Sequence, residues 1–256
     1  MDTGYVRAHN EHGITTIEFF HPQGNSLPGK MLEEIAQEIH FSCSHDTTVV
    51  ILKSAGTGAF CAGASFDELS SITNEKEGIA FFNGFAHLIN AMRKCNKIII
   101  GRIHGKCVGG GVGIAAACDY AIATDKAEIR LSELSIGIGP FVVGPAIERK
   151  LGASAFSQLA IDSSLWRNAD WAKRKGLFAE VHESIENMDE SVYRLANTLA
   201  HANPHAMAEM KKMFWKGTDH WDELLKERAA ISGKLVLSDF TKNAISKFQT
   251  KKKTEK

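Results

Sequence analysis

With 256 residues, 44% hydrophobic and 23% charged, the chain has an ordinary globular composition and the length to bury a sizeable core. Lys plus Arg equals Asp plus Glu at 30 each, so no net field draws it to nucleic acid or to an anionic membrane surface. No apolar run of about 18 residues is present to cross a bilayer.

Other features refine this picture. The opening Met1-Asp2-Thr3-Gly4-Tyr5 lacks a basic segment followed by an apolar one, so no secretory leader is expected. The five cysteines (Cys43, Cys61, Cys95, Cys107 and Cys118) are odd in number and lack metal-ligand spacing. Reduced, packed thiols in a cytoplasmic protein without a metal are the expectation. Cys61 and Cys107 sit beside glycine-rich turns, yet neither has a base nearby in sequence to activate it. The basic run at 251–256 reads as a solvated terminus.

In chain order, residues 5–9 and 14–19 read as strands about the turn His12-Gly13. Pro28 suits the start of an amphipathic helix over 31–41. Residues 49–53 form a buried strand, and 75–93 a long helix with Ile79, Phe82, Ala86, Ile89 and Met92 on one face. Strands follow at 98–103 and 120–124. The alternation predicts an α/β layer architecture. From about Val181 the character changes. Segments 188–201, 204–216, 219–234 and 238–249 suit helices, and Met207, Met210 and Met213 form a stripe at helical spacing. Two regions are expected, a core over 1–182 and a helical region over 183–256.

The richest segment runs from Ile98 through His104-Gly105-Lys106-Cys107-Val108-Gly109-Gly110-Gly111-Val112-Gly113 into an alanine-rich helix. Gly111 to Ala116 fits a G-x-G-x-x-A pattern, but a dinucleotide fingerprint needs its first glycine at the end of the strand, and residues 104–108 intervene. No Walker-type phosphate loop occurs. Upstream, Ala59-Phe60-Cys61-Ala62-Gly63-Ala64-Ser65-Phe66-Asp67-Glu68 has a similar design, with Ser65 and Glu68 spaced as a capping box. Two such loops can aim two backbone N–H groups at one oxygen, the construction of an oxyanion hole.

These two segments together resemble the crotonase superfamily, the enoyl-CoA hydratase and isomerase family. The resemblance implies a spiral of repeated strand-strand-helix turns with a C-terminal helical oligomerisation region, assembled as a trimer or a dimer of trimers. It implies an acyl-CoA thioester as substrate, with coenzyme A entering as part of that substrate and no separate cofactor. By motif position the thioester oxygen falls to the N–H groups of Ala64 and Gly110. The family's CoA-binding positions correspond to Asn25, Ser26 and Leu27, to Ala62, Gly63, Ala64 and Phe66, and to Gly109 and Gly110, with a looser match at Lys247.

Hydratases of this family use two glutamates. The first position is occupied here by Gly113, which transfers no proton, and the second by Glu133. A single carboxylate suffices to move a proton from C2 to C4 of a 3-enoyl thioester, shifting the double bond into conjugation. The expectation is therefore an isomerase with Glu133 as acid and base, its pKa raised toward neutrality by apolar walls. Hydration, including that of a branched acyl-CoA, thioester hydrolysis and a non-catalytic acyl-CoA-binding scaffold remain alternatives. His104 and Asp119 are expected to be structural.

Overall fold

Strands β1 (Tyr5–Glu11), β2 (Ile14–Phe20), β3 (Val49–Ser54), β4 (Ile98–Ile103), β6 (Tyr120–Thr124) and β8 (Glu180–His182) form one sheet in that spatial order in the computed structural model. The structure describes residues 4–44 and 46–254, with side chains described to Lys247 apart from Ser44. The leader reading on Met1, Asp2 and Thr3 and the side chains of the basic run lie outside the described residues. β1 and β2 form an antiparallel hairpin, and every later pairing is parallel. Helical connections run between β2 and β3 through α1 (Gly29–Ser44), and between β3 and β4 through α2 (Phe66–Ser71) and α3 (Glu75–Lys94).

The central strands read as continuous apolar runs because both faces are covered. In β4, Ile99 and Ile103 enter the main core, while Ile98 and Ile100 enter a second cluster on the opposite face. β3 divides in the same way, with Val50 and Leu52 on one side and Val49 and Ile51 on the other. The second face is closed by Met188, Val192 and Ala196 of α8 (Ile185–Ala200) and by Met207 of α9 (Pro204–Phe214). Met207 is buried, whereas Met210 and Met213, which share its sequence spacing, are exposed.

The approach to the glycine helix differs from a plain loop. Residues Cys107–Val108 form β5, which pairs in parallel with β7 (Ile129–Arg130) to make a small second sheet. A period-2 signal cannot show in two residues, so pattern reading passes over them. The glycines then open α4 (Gly110–Ala117), and α5 (Gly144–Leu151), α6 (Ala153–Ile161) and α7 (Ala169–Arg174) fill the connection to β8.

All elements after β8 are helical among the described residues, ending with α10 (Trp221–Leu235) and α11 (Asp239–Thr254). They dock on this chain's own core. Asp119 is the clip: Oδ2 accepts from Ile99 N at 2.8 Å and from Lys211 Nζ at 2.8 Å, and Oδ1 accepts from Trp215 Nε1 at 3.0 Å. The two ionic side chains are each 2% exposed. Lys211 also donates to Lys97 O, so every partner of this buried pair is matched. Asp119 is thus structural, as its position after α4 suggested.

Candidate active site

Four short segments lie side by side and hold the site. Leu27 N donates to Gly63 O at 2.8 Å, and Ser65 N donates to Leu27 O. Cys61 N donates to Lys106 O, and Val108 N returns to Cys61 O at 2.9 Å. Gly109 N then donates to Arg130 O. The two glycine loops are therefore hydrogen-bonded to one another and cannot move apart independently.

Among the described residues, the N–H groups of Ala64 and Gly110 donate to no protein acceptor, although the N–H groups of Gly63, Ser65 and Gly109 beside them are engaged. Buried N–H groups are rarely left so. Gly63 brings the loops together at φ +87°, and a Cβ there would sit 2.8 Å from Val108 O. Gly110 is the first residue of α4, so its free N–H lies at the positive end of the helix dipole. A Cβ on Gly110 would fall 2.2 Å from Phe85 Cε1, and only glycine permits that approach.

Ser65 caps α2, accepting weakly from Glu68 N at 3.4 Å. The capping box is only half formed. Glu68 does not reach back to Ser65; its carboxylate accepts from Gly29 N at 2.7 Å, at the start of α1. An anion at a helix N-terminus is favourable there, and the contact ties the loop to α1 instead of closing it on itself.

Glu133 begins a 3₁₀ turn (Glu133–Ile136) that ends at Gly137 with φ +82°. The residue as a whole is half-buried, but Oε2 is enclosed and has no hydrogen-bond partner. Oε1 approaches Gly109 so closely that a Cβ there would lie 3.0 Å from it. Burial pushes the carboxyl up to about 7, against a small opposing pull from its own backbone N–H. Such a group is poised to exchange a proton near neutral pH.

Ala62, Gly63, Ala64, Phe66, Gly109, Gly110 and Glu133 line one cavity, so the structure gathers most of the residues singled out in the sequence. It encloses about 60 Å³, room for roughly four waters. Asn25, Ser26 and Leu27 do not line it. They are buried and brace it from behind, with Asn25 Nδ2 donating to Ala55 O and Ala59 O. Lys247 is exposed on α11, away from the cavity lining. The remaining walls include Phe82 and Phe85 of α3, Val143, Ser132 and Ser232. Phe82 was visible as an apolar helix position, whereas nothing in the sequence pointed to Ser232.

Other candidates fall away. Cys61 and Cys107 are buried, and burial pushes the Cys61 thiol up to about 12 and that of Cys107 well above its ordinary value, so neither is a ready nucleophile. His104 is buried with both ring nitrogens unpartnered, and burial, aided by Arg102, holds it neutral down to about 4. No cluster of three potential metal-ligating residues occurs among the described residues.

The profile of the enoyl-CoA hydratase/isomerase family matches residues 9–255. The chain belongs to this family. Within it, the chain is 27% identical to a short-chain-enoyl-CoA hydratase of Clostridium acetobutylicum, covering 100% of this chain and 98% of the relative. It is 26% identical to a peroxisomal Delta(3,5)-Delta(2,4)-dienoyl-CoA isomerase of Arabidopsis thaliana, over 81% of this chain and 79% of the other. The crystal structure of an enoyl-CoA hydratase from Bacillus halodurans superposes with a TM-score of 0.87 at 20% identity, covering 95% of this chain and 99% of that one. The fold is the crotonase fold, and the family is one of enzymes of the lyase and isomerase kind acting on CoA thioesters. No helix among the described residues is long and apolar enough to cross a membrane.

Proposed function

We propose that this protein is an enoyl-CoA isomerase that shifts the double bond of a short 3-enoyl-CoA to the 2-position, with Glu133 as the single acid and base. The observation that carries the reading is the composition of the cavity wall: Glu133 is its one titratable residue among those described. The thioester carbonyl oxygen accepts from Ala64 N–H and Gly110 N–H. Glu133 takes a proton from C2, and the negative charge that develops on oxygen is held by these two donors and the α4 dipole. The same carboxyl, now protonated and enclosed by apolar walls, returns the proton to C4, so atoms and charge balance over the cycle.

Hydration of a 2-enoyl thioester needs a second group to orient the attacking water. The family's first glutamate position is Gly113, and Val143 crowds against it, which favours isomerisation over hydration. We further propose that the chain works in the cytoplasm, consistent with its five free cysteines, and assembles as a trimer or a dimer of trimers. The exposed Met213 and Phe214 on α9 supply an apolar surface of the kind subunit contacts cover.

The test is direct. A 3-enoyl-CoA and a 2-enoyl-CoA are supplied separately, while double-bond position, water addition and release of free CoA are followed. Conversion of the 3-enoyl substrate with slow or no hydration of the 2-enoyl substrate supports the isomerase. Rapid hydration of the 2-enoyl substrate rejects it in favour of a hydratase, and release of CoA points to a hydrolase.

A further inference from the structure

One wall of the cavity does not match the rest. Phe66, Leu69, Phe82, Phe85 and Val142 make the acyl pocket apolar, yet α10 contributes Ser232 to it. Ser232 is 1% exposed as a residue, and among the described residues its hydroxyl makes no hydrogen bond to the protein. It is also absent from the enclosed, unpartnered atoms, so the little exposure it has is at Oγ, toward the cavity. A serine inside a helix often bonds back to the carbonyl one turn before it, as Ser42 does to Glu38 O at 2.8 Å. Ser232 does not.

Packing alone does not call for a hydroxyl here. α10 crosses α3 at a contact of two glycines, where a Cβ on Gly78 would lie 2.6 Å from Gly233 O. That crossing needs small residues, and alanine would serve at 232 while forming helix better than serine. An apolar acyl chain filling the cavity would displace any water on Oγ without replacing its hydrogen bond, which disfavours such a ligand.

We infer that Ser232 is a specificity residue for acyl-CoA thioesters whose short chain carries a small polar substituent, a hydroxyl or oxo oxygen, beyond C3. This rests on the reading of the cavity as the acyl pocket of a CoA-thioester enzyme. It adds a substrate class to that reading. The hydroxyl of Ser232 donates to or accepts from the substituent, while Glu133 and the two N–H groups engage the thioester end of the chain.

The test uses saturated ligands, which cannot isomerise. Dissociation constants of butyryl-CoA and 4-hydroxybutyryl-CoA, and of pentanoyl-CoA and 5-hydroxypentanoyl-CoA, are measured by calorimetry for the wild type and for Ser232→Ala. The expected result is a preference of about tenfold for at least one hydroxylated ligand over its parent, abolished in Ser232→Ala. A wild-type ratio near one for both pairs overturns the inference, and so does a preference that survives in Ser232→Ala. A general packing defect would weaken both members of a pair alike and leave their ratio unmoved. Failure of the wild type to convert any 3-enoyl-CoA, with the binding preference intact, would reject the proposed reaction and leave the specificity of the pocket standing.

Discussion

Val143 stands in the volume that any side chain at Gly113 would need: a Cβ on Gly113 would lie 2.5 Å from Val143 Cβ and 2.6 Å from its Cγ1. The space beside Gly113 is thus filled by a branched apolar residue that is 5% exposed and forms part of the cavity wall.

Restoring the glutamate alone will not restore hydration. Gly113→Glu overpacks the site, and forced overpacking costs about 1–3 kcal/mol. The variant should melt several degrees lower and hydrate a 2-enoyl-CoA no faster than the wild type. Gly113→Glu combined with Val143→Ala should recover stability and gain hydratase activity. Strong hydration by the single variant would show that Val143 yields easily and does not limit the reaction.

Gly110→Ala tests the oxyanion donor. The added methyl meets the Phe85 ring, so the start of α4 must shift and its N–H must turn from its present direction. Loss of one oxyanion donor costs about 10²–10³ in kcat. The variant should lose kcat by that amount while CoA itself, measured as a ligand, binds within a few-fold of wild type. An unchanged kcat would remove Gly110 from the mechanism.

Glu133 links activity and stability to pH with opposite signs. Its carboxyl rises from 4.5 to about 7 in the fold, so kcat/KM for isomerisation should climb with pH and level off above about 7, where the base is ionised. The folded state favours the protonated form. Stability is therefore greatest below 4.5 and is lost as pH rises through 7, by an amount on the order of 3 kcal/mol. Glu133→Gln should cut kcat by about 10²–10⁴ yet melt higher than wild type at pH 8, with the difference fading toward pH 4.5. Parallel melting curves at all pH values would contradict the assigned shift.

His104 works in the other direction. Its folded pKa is depressed from 6.5 to about 4, chiefly by burial and secondarily by Arg102, so the fold resists protonation. Stability is present above 6.5 and is lost as pH falls toward 4. His104→Leu removes a ring whose two nitrogens are unpartnered, and its melting advantage over wild type should widen between pH 7 and pH 5. Calorimetric scans at the two values decide the matter.

Much of this was legible beforehand because the physics was local. The runs at 98–103 and 120–124 matched their strands residue for residue, since strands buried on both faces leave an unmistakable apolar signature. The long helix expected over 75–93 extends one residue further at its end, and its apolar face is what made it legible. β5 and β7 carry no period in two residues each, although their ladder holds the second glycine loop against residues 129–130. Glu133 was reachable only through its motif, since its enclosure by Gly109 comes from a remote part of the chain. The helices α5 to α7 drew no assignment at all. That the side chains of Asn25, Ser26 and Leu27 are buried inside the protein was not legible in their sequence. Nothing in the linear order hinted that α10 supplies a wall of the pocket.

That last feature bears on synthesis as well as catalysis. Ala64, Gly110 and Glu133 all lie within the first 133 residues, but one wall of the cavity they line is Ser232 of α10, which meets α3 where Gly233 packs against Gly78. A nascent or C-terminally clipped chain thus holds these residues without the wall that α10 supplies. The crossing of α3 and α10 thus makes the completeness of the cavity wall depend on a segment near the end of the polypeptide.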